Sequence, residues 1–417
     1  MTSRINFIIL SLIAIIIFLM TLALAGCSES NIEPDDGSLP RELTYSEKEV
    51  LASSENFGLK IFQELAMAER ETNIFISPLS ISMALSMTIN GANTSTYDAI
   101  QNTLGLGNLS LEDINQSNKD LTQLLIGLDN KVKFSIANSI WFRNSFTFKQ
   151  DFIQRNTNYY QAEVRPADFD NPETVNLINS WINGKTNGKI KEVLDSIDPS
   201  TVMYLINALY FKGDWQAKFD PNKTTSRPFY DLMGREISCE MMDKTGLIEF
   251  YEEEDFQAAD LLYGSGHFSM TILLPSHDKN ITDMITTITS DKWSTITDGF
   301  QETEMQLIMP KFKTEYKRKL KEILTMMGME VAFTDNADFT GMREEGQLLI
   351  NDVIHKTFVE VNEEGTEAAA VTVVDVGVTS APPPLPRMVL DHPFVYVIRE
   401  RETGTILFIG QLMNPNA

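Results

Sequence analysis

The segment 363–386 limits the choice of fold more than any other part of the sequence, because its two halves have opposite conformational preferences. Residues 366–380 contain no proline, and their even-numbered positions are small or apolar, whereas the acidic Glu367 and Asp375 have odd numbers. This alternation is typical of a β-strand with one buried face and one solvent face. From Pro382 onward prolines are dense and exclude the interior of a sheet. The residues alone also allow a second interpretation, a surface loop rich in alanine and valine without a role.

The first half of this segment resembles a known element. The run EEGTEAAAVTVV is similar to the hinge of the reactive-centre loop of serpins, the serine protease inhibitor superfamily. Three further runs resemble the same family in the same order: NIFISPLSISMALSMTINGA, NSWINGKTNGKIKEV and MQLIMPKFK. Alanine is a poor strand former, but small side chains suit a segment that enters a narrow site late. Insertion of this loop into a sheet is an established property of serpins.

The resemblance implies one serpin domain over residues 46–417, with three β-sheets, eight or nine helices and an exposed reactive-centre loop at about 363–386. The residues support an α+β class independently, because strand and helix patterns are mixed without regular βαβ alternation. A chain of 417 residues that is 43% hydrophobic can also build a sizeable core.

Local patterns predict several elements. Ser46, with Glu49 three residues later, predicts a capped helix start, and Ser77 before Pro78 predicts another. The runs 131–142, 201–212 and 348–361 predict strands, and alternating runs over 226–275 predict antiparallel strands. The run 305–313 resembles a strand motif of the serpin family.

The first 45 residues are predicted to lie outside the domain. Residues 1–26 carry one charged side chain, Arg4, an apolar run and small residues before Cys27, which resembles a prokaryotic lipoprotein signal. Cys27 would then be lipidated, and residues 27–45 would form a flexible tether. The expected location is exported and lipid-anchored, at the cell surface or on the periplasmic face of a prokaryotic membrane. A cleaved ordinary signal peptide and an uncleaved anchor are the alternatives.

Charge and cysteine content restrict the partners. The net charge of −24 argues against nucleic acid and against electrostatic membrane binding, so membrane attachment is expected only through a lipid at Cys27. The other cysteine, Cys239, lies in a strand-like run and is expected to be buried and inert. A lipidated Cys27 would leave no intramolecular disulfide.

No catalytic motif is present, so the chain is not expected to be an enzyme. The sequence lacks GxSxG, HExxH, GxxxxGK[ST] and CxxC patterns, and its four histidines have no metal-ligand spacing. No metal and no cofactor are therefore expected. Some serpins bind glycosaminoglycan through a basic helix, but the corresponding residues 111–128 contain only Lys119 as a base.

The resemblance implies a suicide mechanism and a monomeric inhibitor. A target serine protease, or a papain-like cysteine protease, would cleave the loop and form a covalent acyl-enzyme. The cut loop would then insert as a strand into the central sheet and distort the protease active site. The proposed rivals are a non-inhibitory serpin with a surface binding or chaperone-like role, and an exported hydrolase of unrelated fold.

The resemblance also assigns roles to particular residues. The expected reactive bond is Thr379–Ser380, with Val378–Thr379 as the alternative. No Arg or Lys occurs between Gly365 and Pro386, so elastase-like or subtilisin-like proteases are expected as targets and trypsin is not. The remaining residues group as a hinge (Glu363, Gly365, Thr366, Ala368, Ala369, Ala370), a gate at the sheet centre (Ser77, Ser80, Asn207, His355) and a sheet top (Trp215, Lys311, Glu363). In isolation, His355 also reads as an ordinary core histidine.

Overall fold

Nine α-helices and fifteen β-strands occur in the part of the chain described by the computed structural model, residues 38–366 and 385–417. The helices are α1 (Tyr45–Ala68), α2 (Pro78–Ile89), α3 (Thr94–Leu104), α4 (Leu111–Gly127), α5 (Gln150–Tyr160), α6 (Glu173–Lys185), α7 (Ile281–Thr287), α8 (Ser290–Asp298) and α9 (Lys321–Leu324). The strands are β1 (Ile74–Ile76), β2 (Val132–Arg143), β3 (Glu163–Ala167), β4 (Met203–Asp214), β5 (Thr225–Tyr230), β6 (Glu236–Glu252), β7 (Phe256–Tyr263), β8 (Phe268–Pro275), β9 (Gln301–Pro310), β10 (Phe312–Lys319), β11 (Ile354–Asn362), β12 (Gly365–Thr366), β13 (Arg387–Val389), β14 (Phe394–Glu400) and β15 (Ile406–Leu412).

The strands form two hydrogen-bonded sheets. The central sheet has the order β10-β11-β12-β4-β2-β3, and the second has the order β1-β15-β14-β8-β7-β6-β9-β13, with β5 paired to β6. The three sheets implied by the resemblance merge into these two because β6 is 17 residues long. Its first part pairs with β5, its last part with β7 and its middle with β9, so one strand joins two smaller sheets.

Helix α2 is the most deeply buried helix of the core. Every residue except Ala84 is buried, as the small and apolar composition predicts. The Ser77 side chain caps the helix by accepting a hydrogen bond from the backbone N–H of Ser80, and Pro78 occupies the first turn. This matches the prediction from the sequence and holds the helix start against the central sheet.

The predicted cap of the first helix is wrong by two residues. The N-cap is Thr44, not Ser46, and the reciprocal carboxylate is Glu47, not Glu49. Both pairs fit the same pattern, but Glu47 also accepts hydrogen bonds from Arg41, which lies outside the helix. This additional contact favours the cap at Thr44. The helix therefore begins at Tyr45, which was predicted to be the last residue of the tether.

Two strand predictions need correction. The run 305–313 is not one strand, because β9 ends at Pro310 in the second sheet and β10 begins at Phe312 in the central sheet. The run 348–361 is a strand only from Ile354, since residues 348–353 are irregular. Asp352 accepts hydrogen bonds there from the backbone N–H groups of Val353 and Lys321, in place of a strand ladder.

Cys239 is a buried free thiol on β6. Burial raises the pKa of this thiol to about 11, so it is protonated at neutral pH. Among the helices within the described ranges, none is both long and apolar enough to cross a membrane.

Candidate functional site

The hinge residues Gly365 and Thr366 lie between two strands at the top of the central sheet. On one side they pair with Asn362 and Val361 of β11, and on the other with Asp214 and Gly213 of β4. The hinge is therefore already a short strand, β12, at the position where a longer inserted strand would start.

Only glycine fits at position 365. Its φ is 147°, and a Cβ built there would lie 2.2 Å from the carbonyl oxygen of Gly213 and 2.8 Å from the backbone nitrogen of Trp215. The neighbouring backbone is held as well, because the Trp215 N–H donates to the carbonyl of Glu364 at 2.7 Å. The turn between β11 and β12 thus lies close against the end of β4.

An aromatic pair supports the hinge from below. Trp215 donates its indole N–H to the carbonyl of Asn362 at 2.9 Å and stacks on Tyr263 with ring centroids 4.4 Å apart. The Tyr263 hydroxyl is hydrogen-bonded to the Thr366 hydroxyl at 2.7 Å, and burial raises the pKa of Tyr263. The sequence singled out Trp215 but missed Tyr263, which lies on β7 of the other sheet and belongs to no motif.

Two ion pairs fix the acidic residues before the hinge. Lys311 Nζ lies 3.0 Å from a carboxylate oxygen of Glu363, and the Thr224 hydroxyl donates to the other oxygen at 2.8 Å. Burial alone would raise the pKa of Glu363, but its hydrogen bonds, including those from Lys311 and Thr224, lower the pKa overall. Glu364 pairs with Lys218. Because the Lys311 side chain is 40% exposed, its pair contributes only about 0–1 kcal/mol.

Below the hinge, β4 and β11 each present a backbone edge that pairs with no strand in the described ranges. β4 pairs with β2 from Met203 to Gly213 on one side, but on the other it meets only β12. β11 pairs with β10 from Ile354 to Val361 and meets β12 only at Val361 and Asn362. Unpaired strand edges bind a further strand readily, since their N–H and C=O groups need partners.

The predicted gate is only partly assembled. The Ser77 backbone N–H donates to His355 Nε2 at 3.0 Å, and Ser80 joins them through the helix cap. Asn207 instead donates to Asn138 at 2.6 Å on the neighbouring strand, and its own side-chain oxygen is buried without a described partner. Ser77, Ser80 and His355 therefore form one cluster, which joins β11 to the start of α2.

We expect His355 to make the stability of the protein pH-dependent. Burial lowers the pKa of His355 to about 3, far below its ordinary value of 6.5. Between these values only the unfolded chain takes up a proton, so the stabilising contribution is complete above about pH 6.5 and is lost as the pH falls towards 3. A His355→Gln variant, which keeps a hydrogen-bond acceptor for Ser77, should show a smaller loss of thermal stability between about pH 7 and 4. Parallel pH profiles of the two proteins would contradict this role.

Several predicted residues lie outside the described ranges. These are Cys27, Ala368, Ala369, Ala370, Val378, Thr379 and Ser380. Their roles stay predictions from the sequence.

Comparisons with known proteins agree on the family. A family model described as serpin (serine protease inhibitor) matches residues 52–415. Iripin-8 of Ixodes ricinus is 33% identical over 390 residues, which cover 90% of this chain and 96% of that protein. The native structure of tengpin, a thermophilic serpin, aligns with a TM-score of 0.82 at 34% identity, over 90% of this chain and 95% of that one. Its latent structure aligns with a TM-score of 0.76 at 33% identity, over 90% and 99%.

A third similar structure is human thyroxine-binding globulin, solved as a ligand complex. It aligns with a TM-score of 0.83 at 27% identity, over 89% of this chain and 100% of that one. The chain therefore belongs to the serpin family, which confirms the predicted α+β serpin fold. Serpins are generally protease inhibitors rather than enzymes, and typically act on target proteases.

Proposed function

We propose that this protein is a suicide-substrate inhibitor of serine proteases with small apolar pockets. One observation carries the proposal: Gly365 and Thr366 pair on both sides between β4 and β11, whose facing edges continue unpaired below them within the described ranges. A loop whose first two residues already occupy this place can extend the same strand once it is cut. The similarity to tengpin in both a native and a latent state supports a fold with two accessible arrangements.

The energy for trapping would come from the inserted strand. A strand between β4 and β11 forms two rows of backbone hydrogen bonds, and each hydrogen bond contributes about 0.5–1.5 kcal/mol net. The strand also buries one face of small and apolar side chains. The uncut protein is then a kinetically trapped state. It lies above the inserted state in free energy and is held there by the barrier to insertion of the tethered loop. That free energy difference would be available to distort the acylated protease.

The sequence of the loop defines the class of target. The proposed bond, Thr379–Ser380, or Val378–Thr379 one position earlier, presents a small uncharged residue to the protease. Elastase-like and subtilisin-like serine proteases accept such residues, and papain-like cysteine proteases form a second class that can be acylated. The inhibitor would act as a monomer, and a lipid on Cys27 would hold it at the cell surface or on the periplasmic face of a prokaryotic membrane.

A second candidate function is a non-inhibitory surface binding protein. The similarity to thyroxine-binding globulin, solved as a ligand complex, favours it. The hinge argues against it, because residues 365–370 contain no proline. Their even-numbered positions, which the strand pattern places on the buried face, are the uncharged Thr366, Ala368 and Ala370.

Incubation with pancreatic elastase and with subtilisin tests the proposal. The chain from Ser28 onward should give a complex that survives denaturing electrophoresis, and mass mapping should find a released C-terminal peptide that starts at or next to Ser380. Trypsin should give no such complex, because no Arg or Lys lies between Gly365 and Pro386. Cleavage by elastase and subtilisin without any stable complex would refute inhibition. A rise in thermal stability after that cleavage would show that the loop inserts too slowly to trap the protease, whereas no rise would favour the second candidate.

A further inference from the structure

Three potential metal ligands from two distant segments of the sequence meet beside the second sheet. His277 follows β8, whereas Asp391 and His392 lie between β13 and β14. One ligand atom from each residue lies within 4.8 Å of the others. The His277 and His392 rings also pack together, with centroids 4.5 Å apart. The histidine spacing in the sequence predicts no metal site, because it cannot show that β8 and β14 are neighbours.

The hydrogen bonds of His392 suit a ligand. Its Nε2 lies 2.8 Å from the carbonyl oxygen of Pro275, and its Nδ1 lies 2.8 Å from a carboxylate oxygen of Asp391. The carbonyl oxygen of Pro275 can only accept, so Nε2 carries the proton of that hydrogen bond. Nδ1 faces the carboxylate of Asp391 and is the ring nitrogen that a metal ion would bind. A metal-binding histidine usually donates its other N–H in this way, which fixes its orientation.

The backbone on both sides of the cluster is held in place. The carbonyl of Asp391 accepts from the Tyr230 N–H at 2.7 Å, and the preceding Leu390 N–H donates to the carbonyl of Ile308 at 2.9 Å. On the other side, the Ser276 N–H donates to Asp255 and the Lys279 N–H to Ser276, both at 2.8 Å. The side chain of His277 is exposed, and its ring packs against His392, so it already lies beside the other two ligands.

We propose that His277, Asp391 and His392 form a binding site for one divalent transition-metal ion, with Zn²⁺ as the favoured ion. Two imidazoles and one carboxylate are ligands that Zn²⁺ accepts, and imidazole is disfavoured by Mg²⁺ and Ca²⁺. Water completes the coordination from the adjoining cleft of about 440 Å³, which is also lined by Tyr230 and Asp231. The bound ion would join the turn after β8 to the segment between β13 and β14. This inference does not depend on the proposed inhibition of proteases.

Calorimetric titration of the purified full-length protein, without a histidine tag, with Zn²⁺ alone tests the site. We expect one Zn²⁺ per chain, no heat from Mg²⁺, and affinity reduced by at least about tenfold in His277→Ala. The matched control is Asp278→Asn, which removes a neighbouring exposed charge but no ligand, and should bind within about twofold of the wild type. Zn²⁺ should also raise the melting temperature of the wild type and of Asp278→Asn, but not that of His277→Ala.

Two outcomes would overturn the proposal. One is the absence of Zn²⁺ binding to the wild type at millimolar concentrations. The other is equal affinity in the wild type and in His277→Ala, since the ion would then be bound elsewhere. Because His277 is exposed, its replacement by alanine is not expected to disturb folding, and circular dichroism of each variant checks this directly.

Discussion

Replacement of Thr366 by arginine is expected to turn the inhibitor into a substrate. Thr366 is 4% exposed, pairs with strands on both sides and is hydrogen-bonded to the buried Tyr263 hydroxyl. An arginine at this position would place a charge without a partner in the sheet, at a cost of several kcal/mol. The hinge should then stay outside the sheet and insertion should fail. The protease would still cut the loop, but it would deacylate and leave.

The measurement is the ratio of trapped to released protease with elastase or subtilisin. We expect the yield of the denaturation-resistant complex to fall by more than about tenfold, because several kcal/mol correspond to at least that factor. The cleavage rate should stay close to that of the wild type. Glu367→Arg is the matched control, since it introduces the same side chain one position later, where the sequence pattern predicts the solvent face. Equal complex yields for Thr366→Arg and the wild type would exclude insertion at this place.

The sequence predicted a structural feature best where the feature depends on a few consecutive residues or where the family resemblance implied it. Ser77 and Pro78 start α2 as predicted, because a cap depends on a few consecutive residues. Lys311 and Glu363 form the ion pair that the resemblance implied, and Trp215 lies at the top of the central sheet. The chain's membership of the serpin family fixes the order of the strands, which local patterns do not contain.

Contacts between distant segments could not be derived in this way. Thr224 is hydrogen-bonded to Glu363, and Tyr263 is hydrogen-bonded to Thr366. Each pair is more than one hundred residues apart in the sequence. A single sequence shows no sign of such pairs, because each residue is ordinary in its own strand. The partners of Asn207 show the same limit, because its amide donates to Asn138 on the neighbouring strand and to Met83 on α2.

Degenerate local patterns account for other errors. Residues 44–49 contain two overlapping capping patterns, and the helix uses the one at Thr44, whose partner Glu47 also accepts a hydrogen bond from Arg41. The run 305–313 resembles a single strand motif, yet its two halves belong to different sheets, divided at Lys311. The strand propensity and periodicity of a segment predict that it is extended. They do not predict which strands it pairs with, and so they do not show where the chain passes from one sheet to the other.

A second large effect is expected at Gly365, through the backbone rather than through charge. In Gly365→Ala the new methyl group would lie 2.2 Å from the carbonyl oxygen of Gly213, and the φ of 147° would be strained for any residue with a Cβ. Overlap and strain together should cost about 2–4 kcal/mol. The uncut protein should melt at a lower temperature, and Trp215, whose indole N–H is hydrogen-bonded to Asn362, should change its fluorescence as the hinge withdraws.

The matched control for Gly365→Ala is Gly246→Ala on β6. A Cβ at Gly246 meets no atom within 4 Å, and its φ is not in the positive range, so this variant should stay within about 0.5 kcal/mol of the wild type. Unchanged melting and fluorescence in Gly365→Ala would show that the hinge is not held between β4 and β11 in the uncut protein. A stability loss without a fluorescence change would instead place the strain in the sheet, with β12 still paired. We would therefore infer withdrawal of the hinge only from a lower melting temperature together with a change in Trp215 fluorescence. The fluorescence is needed because Trp215 contacts Glu364 at the end of β4.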